Sequence, residues 1–478
     1  MTTITDKLTY LSGTKEAIKD ALIEKGVDMS GDIPFREYAD KIRGLYSLEE
    51  QYYGIEWDST IADPACTRIG LPKLHASLPI QSKMRRCVLN DDGTVVYYLD
   101  ANDSTKKENG EPANLDGTDG QVMVEIPAHY RKFENDGTKY RCLLSEREMP
   151  GFHFVPLAYR SAYEAALDRT VTATPKLSSV VNTSAAFRGG NNTASWDGTY
   201  RTLLGRPVTT VSLTNLRTYA RNRGVAGVNG AGWNCDVYEV QKTCFWLYAV
   251  EYANFNCQLD YNPEPTSKGY KQGGLGQGVT TLSSDDWYHY NYNPFVPCGH
   301  TNALGNKTGI VDYAMPASDG SVFATFSVPS YRGLENPFGH IWCVTDGCTV
   351  RIPLKEEGEY VEFFVCTNPV KFQDKDYTGY KKLCNLPQKE GYIKTLLIDE
   401  YGENIPTEVD GSSSTYFCDY FYSTQIGSGN VERRHICLFN GRAIEGTQAG
   451  LGYLRTHVNV NLDKLHTSIG TRLCFLPE

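Results

Sequence analysis

The residue types that carry out covalent chemistry are present in this chain, but not at spacings that would organise them. It has no Gly-x-Ser-x-Gly elbow, no His-Glu-x-x-His, no P-loop and no Gly-x-Gly-x-x-Gly after a strand. The run Gly273-Gly-Leu-Gly-Gln-Gly278 precedes no helical pattern, so it reads as a loop and not as a phosphate cradle. Nine His are scattered with no pair at a helical ligand spacing. Fourteen Cys include no Cys-x-x-Cys; the closest, Cys343 with Cys348 and Cys235 with Cys244, lack the partner clusters of a zinc site, so the thiols read as small buried hydrophobes. Asp285-Asp286 would serve acid–base chemistry only if folding brought a second group across a cleft. No enzyme, cofactor or metal site is expected.

Recognition chemistry is better represented. Tyr outnumbers Phe 32 to 18, and Tyr joins an apolar ring to a polar tip suited to half-wet surfaces. Arg455-Thr-His-Val-Asn-Val-Asn-Leu-Asp-Lys-Leu-His-Thr-Ser468 mixes cation, imidazole, amide and aliphatic side chains with no period of 2 or 3.6. A packing segment shows such a period; a displayed one need not, although an ordinary surface loop would read the same way. The formal charge of −10 argues against a nucleic-acid footprint. The longest apolar run, Cys244 to Val250, is seven residues, so membrane insertion is not expected. The opening residues show no basic segment leading into an apolar one, so no secretory signal is expected.

The elements around these residues predict an α+β fold. A helix capped by Ser12 or Thr14 carries Ala17, Ile18, Ala21 and Leu22 and closes at Gly26. A second starts at Asp32 with Pro34 in its first turn and sets Phe35, Tyr38, Ala39 and Ile42 on one face. Two short helices bury little area, so residues 1–50 should dock on a partner, on copies of the chain, or back on its body. Residues 51–115 read as a small β-rich connector, with a hairpin turning at Asp92-Gly93. Asp100 to Gly120 is a long loop, and Val122 to Lys132 opens the larger region as a strand. Within 116–478, Thr214 caps a helix ending at Gly224. Cys235 to Asn254 should form the best-buried helix, its aromatics in the core.

Tyr331-Arg-Gly-Leu-Glu-Asn-Pro-Phe-Gly-His-Ile-Trp-Cys-Val-Thr-Asp346-Gly347 resembles the Gly-Asn-Val-Trp-Glu-Trp signature of the formylglycine-generating-enzyme type of C-type lectin fold. Gly339, His340, Ile341 and Trp342 stand at the matching places, and Cys343-Val344 departs from it. His435 to Gly441, Ala449-Gly-Leu-Gly-Tyr-Leu454 and Ile469-Gly-Thr-Arg-Leu473 are similar to the ends of variable proteins targeted by phage diversity-generating retroelements. Tyr219 to Gly224, Gly232-Trp233, Tyr248 to Asn256, Gly120 to Pro127 and the opening helices resemble phage tail-fibre proteins of the same group.

The resemblance implies a C-type-lectin-like body over 116–478 with a variable region at about 440–468. It implies a virion protein whose N-terminus meets tail or baseplate proteins, whose body binds a host cell-surface protein or glycan, and which is a homotrimer. In such proteins displayed positions are reachable from Asn codons. Arg442, Ile444, Arg455, His457, Val458, Val460, Leu462, Leu465 and His466 fit that rule; Asn459 and Asn461 would be unaltered template residues. Glu445, Gln448 and Lys464 fit it poorly. A calcium-dependent sugar site is not expected, because Thr266 follows Glu264-Pro265 where that motif has Asn. The alternatives are an enzyme on the same fold, either an oxidase or a tail hydrolase, and a purely structural virion protein.

Overall fold

The computed structural model describes residues 3–43, 51–190, 203–224, 232–317, 319–358, 360–423, 432–456 and 465–477. The chain is α+β and mostly β. The first helix is Ile4–Glu24 and starts earlier than the cap residues Ser12 and Thr14 suggest. Thr3 and Asp6 form a reciprocal capping box, the Thr3 hydroxyl accepting from the Asp6 amide at 3.1 Å and the Asp6 carboxylate accepting from the Thr3 amide at 2.8 Å. Thr14 instead donates its hydroxyl to the Tyr10 carbonyl inside the helix. The second helix is shorter than expected: Pro34 leads a single 3-10 turn, Phe35–Glu37, and the α-helix is Tyr38–Arg43. Of its expected apolar face only Tyr38 turns inward, packing with Leu22 and Met29; Phe35 and Ile42 stay exposed.

Residues 51–115 are not a separate connector. Strand Tyr53–Asp58 lies between Thr67–Gly70 and Lys139–Ser145 in a five-stranded sheet. Arg85–Leu89 lies between Val95–Tyr98 and Gln121–Ile126 in a six-stranded one. An isolated hairpin would leave its edge amides and carbonyls unpaired, and strands after residue 116 satisfy them. The turn at Asp92-Gly93 forms as expected, with Gly93 at φ +84°. The strand expected from Val122 to Lys132 is two strands, Gln121–Ile126 and His129–Asn135, interrupted at Pro127, which has no amide to donate.

The third large sheet carries the candidate site. Trp342–Ile352 pairs antiparallel with Glu362–Val365 and Arg433–Phe439 and parallel with Ile469–Gly470. Leu454–Arg455 joins Arg433–Phe439 to Tyr420–Tyr422.

Helix Tyr238–Tyr252 runs through the core, with every residue buried except Glu239. It begins later than expected because Trp233–Cys235 is a strand. Its aromatics are core, as expected: the Trp246 ring lies 4.9 Å from Phe133 and stacks on Trp57 at 5.7 Å. Gln241 donates to the Leu451 carbonyl at 2.7 Å, tying this helix to the block before Leu454. The shorter helix Leu213–Arg221 is capped by Ser212, whose hydroxyl accepts from the Asn215 amide, not by Thr214. All fourteen thiols are free and twelve are buried, in keeping with their reading as small core residues.

A candidate recognition surface around Trp342

Trp342 is the first residue of its strand and is 4% exposed. Its amide donates to the Ser468 carbonyl at 2.9 Å and its indole N–H to the Tyr453 hydroxyl at 3.2 Å, which fixes the ring. Two guanidinium groups lie over that ring, Arg442 at 3.8 Å and Arg455 at 4.6 Å from its centre. Arg455 also lies 4.9 Å from the Tyr422 ring, and the His466 ring lies 6.2 Å from the indole and 5.8 Å from Tyr292. Stacked guanidinium keeps its N–H edges free to donate to carboxylate, carbonyl or hydroxyl groups of a ligand. Burial and Glu445 push the Tyr422 phenol above its usual range, so it stays a neutral donor and acceptor.

Polar neighbours hold these groups in place. Glu445 accepts from Arg442 Nε at 2.8 Å. The Tyr422 hydroxyl donates to Gln448 at 2.6 Å. Tyr420 packs against Tyr422 at 4.7 Å and Tyr392 against Tyr420 at 5.1 Å, and the Tyr392 hydroxyl is 2.9 Å from that of Thr447. The result is a half-buried band of phenols beside two cations, apolar in body and polar at its tips.

Of the expected surface residues, Arg442, Arg455 and His466 converge on Trp342. Two others do not. Ile444 packs against the cluster of Val279, Trp287, Phe295 and Ile341, because the chain after Arg442 turns inward through buried Ala443. Leu465 is 51% exposed but faces away, into a cleft of about 540 Å³ with Leu167, Arg169 and Tyr219. His457, Val458, Asn459, Val460, Asn461 and Leu462 lie outside the described residues. Sequence reasoning missed Tyr392, Tyr420 and Tyr422 and set aside Glu445 and Gln448. The Tyr-x-Tyr alternation at 420–422 was the available signal, since it puts both rings on one face of a strand.

The blocks flanking this surface are anchored for physical reasons. The Asp419 carboxyl is buried under Ala449 to Leu454 and accepts from the Gly452 amide at 2.6 Å. A Cβ at Gly450 would stand 1.7 Å from one Asp419 oxygen and a Cβ at Gly452 2.8 Å from the other, so both positions require glycine. On the other side, Arg472 is 1% exposed and donates to the carbonyls of Ser161 at 3.1 Å and Asn336 at 2.7 Å. His340 accepts the amides of Phe295 and Val296 on Nε2, which leaves Nδ1–H to donate to Glu164.

Burial drives the Asp419 pKa well above the ordinary carboxyl value. A carboxyl raised on folding contributes stability that is fully present below about pH 4 and is lost as pH rises towards the folded value. Asp419→Asn keeps the acceptor for Gly452 and removes the proton dependence. The variant is expected to melt a few degrees above the parent at pH 7 and no higher at pH 4. Equal melting shifts at both pH values would show that Asp419 is not responsible.

Among the described residues no group of three or more His, Cys, Asp or Glu is placed to hold a metal ion. No described helix is long and apolar enough to cross a membrane. No family model and no curated protein matches the chain.

Proposed function

We propose that this chain is a phage tail receptor-binding protein with a C-type-lectin-like body, presenting a diversified face around Trp342 to a host cell-surface protein or glycan. The observation that carries the reading is the convergence of Arg442, Arg455 and His466 on one fixed indole. Residues 457–464 are bracketed by two anchored strands, Leu454–Arg455 and Ile469–Gly470. Rigid elements on either side of a segment let its side chains change without unfolding the body. The N-terminal helix leaves Ile4, Leu8 and Leu11 exposed at i, i+4 and i+7, a stripe suited to virion attachment or to a homotrimer seam. Single contacts of this kind are weak, so adhesion rests on several copies acting together on the virion.

Of the enzyme alternatives, the cysteine-dependent oxidase has less support. Burial pushes the thiols of Cys343 and Cys348 up, whereas a reactive thiol needs its pKa lowered.

The test is binding of the isolated, labelled protein to intact candidate hosts. Arg442→Ala and Arg455→Ala should each remove a charged donor to the ligand worth about 1–2 kcal/mol, lowering affinity about 5–30-fold. Arg442→Ala should also lower the melting temperature, because it leaves Glu445 without its cation. Exchange of 457–464 for Gly and Ser should abolish binding. Undiminished binding in all three variants, or a gene with neither a near-identical template copy nor a reverse transcriptase beside it, would defeat the respective halves of the proposal.

A further inference from the structure

A cavity of about 430 Å³ lies away from Trp342, between the N-terminal turn of the core helix and the five-stranded sheet. That volume falls in the range of small-molecule sites. Its inner wall is apolar, formed by Ile126, Ala158, Val237 and Val240, all buried, and its mouth carries the exposed side chains of Phe154 and Val370. Arg131 also lines it. This residue sits on strand His129–Asn135, where inward and outward positions alternate, and it points inward between His129 and Phe133.

Arg131 is 5% exposed, and although its guanidinium lies 5.4 Å from the Phe133 ring centre, its N–H groups are poorly compensated. Its Nη2 donates to the Tyr401 carbonyl at 3.4 Å, its Nη1 has no hydrogen-bond partner, and no carboxylate is within ion-pair distance among the described residues. Other deeply buried arginines differ. Arg160 and Arg217 hold buried carboxylates, and Arg223 holds Asp91. Arg86 reaches four oxygens at 3.2 Å or less. A buried guanidinium with one long hydrogen bond is costly, and an anion delivered to it with an apolar tail would relieve that cost. Two acids also line the cavity, Glu239, paired with Lys242 at 3.1 Å, and the largely exposed Glu400, 3.7 Å from His153. Their negative field opposes a dianion more strongly than a monoanion, so a headgroup with a single charge is the anion the site tolerates.

We infer that this cavity binds an amphipathic monocarboxylate, its apolar body against Val237 and Val240 and its carboxylate drawn to Arg131. The site is independent of the surface around Trp342.

Calorimetric titration of the full chain with decanoate and with decanol tests this. Decanoate should bind at one site per chain at least about tenfold more tightly than decanol, the value of a charge-assisted pair. Arg131→Met, which keeps the length of the side chain, should bring decanoate to the level of decanol. Val240→Phe, which fills the cavity and leaves Arg131 in place, should abolish both. Absence of saturable decanoate binding, or equal affinity for the two probes on the parent protein, overturns the proposal. So does a folded Arg131→Met that binds decanoate as the parent does. Should Arg131→Met not fold, the parent and Val240→Phe titrations decide alone.

Discussion

Arg160→Met is expected to lower the free energy of unfolding by about 3–5 kcal/mol, read by urea denaturation at pH 7. Arg160 Nε and Nη2 each lie 2.8 Å from an Asp236 oxygen, and the Asp236 side chain is completely shielded from water. Asp236 also accepts the Thr345 hydroxyl at 3.1 Å, while the Cys343 and Cys474 thiols stand at 3.3 and 3.6 Å. One carboxylate therefore joins the strand Ala158–Ser161, the strand that begins at Trp342 and the strand Leu473–Phe475. Met keeps the volume but strands an unpaired buried charge. Arg160→Met with Asp236→Leu should recover most of the loss, because replacing both charges leaves none uncompensated. A single-variant cost below about 1 kcal/mol would mean that water reaches Asp236.

Trp246→Ala should cost a similar amount, about 3–5 kcal/mol, by a different route. The indole is fully buried and packs with Trp57, Phe133, Phe245 and Phe255. Its N–H donates to the Gly402 carbonyl at 2.7 Å, so truncation leaves both a cavity and an unpaired carbonyl. The walls cannot close in freely: a Cβ at Gly402 would already stand 2.0 Å from Phe133. Trp246→Phe retains most of the packing and should lose clearly less than the alanine variant. Equal losses for the two would assign the effect to the hydrogen bond alone.

Elements with strong local signals were legible in the sequence. The hairpin at Asp92-Gly93, the buried helix around Trp246 and the burial of the thiols follow from turn chemistry and apolar periodicity. Their boundaries were less legible, because caps compete: Thr3 with Asp6 satisfies two amides where Ser12 or Thr14 would satisfy one. Residues 51–115 were misjudged as a connector since strand pairing with 121–126 and 139–145 is set by partners far along the chain.

At the candidate site, Arg442, Arg455 and His466 were among the residues that the resemblance implied, and the fold brings these three to Trp342. The resemblance could not separate them from Ile444 and Leu465, since codon reachability says nothing about which way a side chain turns. Trp342 was visible as part of a motif, but its role under two guanidinium groups depends on contacts among residues 342, 442 and 455. Arg131 gave no sequence signal beyond being a charged residue at an inward position of an alternating strand.

The strand Leu473–Phe475 lies between Ala158–Ser161 and Trp233–Cys235, paired antiparallel with both. During synthesis those two strands leave the ribosome without the segment that joins them, and their sheet stays open until residue 475 has emerged. Closure of that sheet therefore waits for residues 473–475, whatever has folded before them. A nascent chain stalled before Leu473 should stay protease-sensitive at Trp233–Cys235 and at the open edge of Ala158–Ser161, and release past Phe475 should convert both to a resistant form.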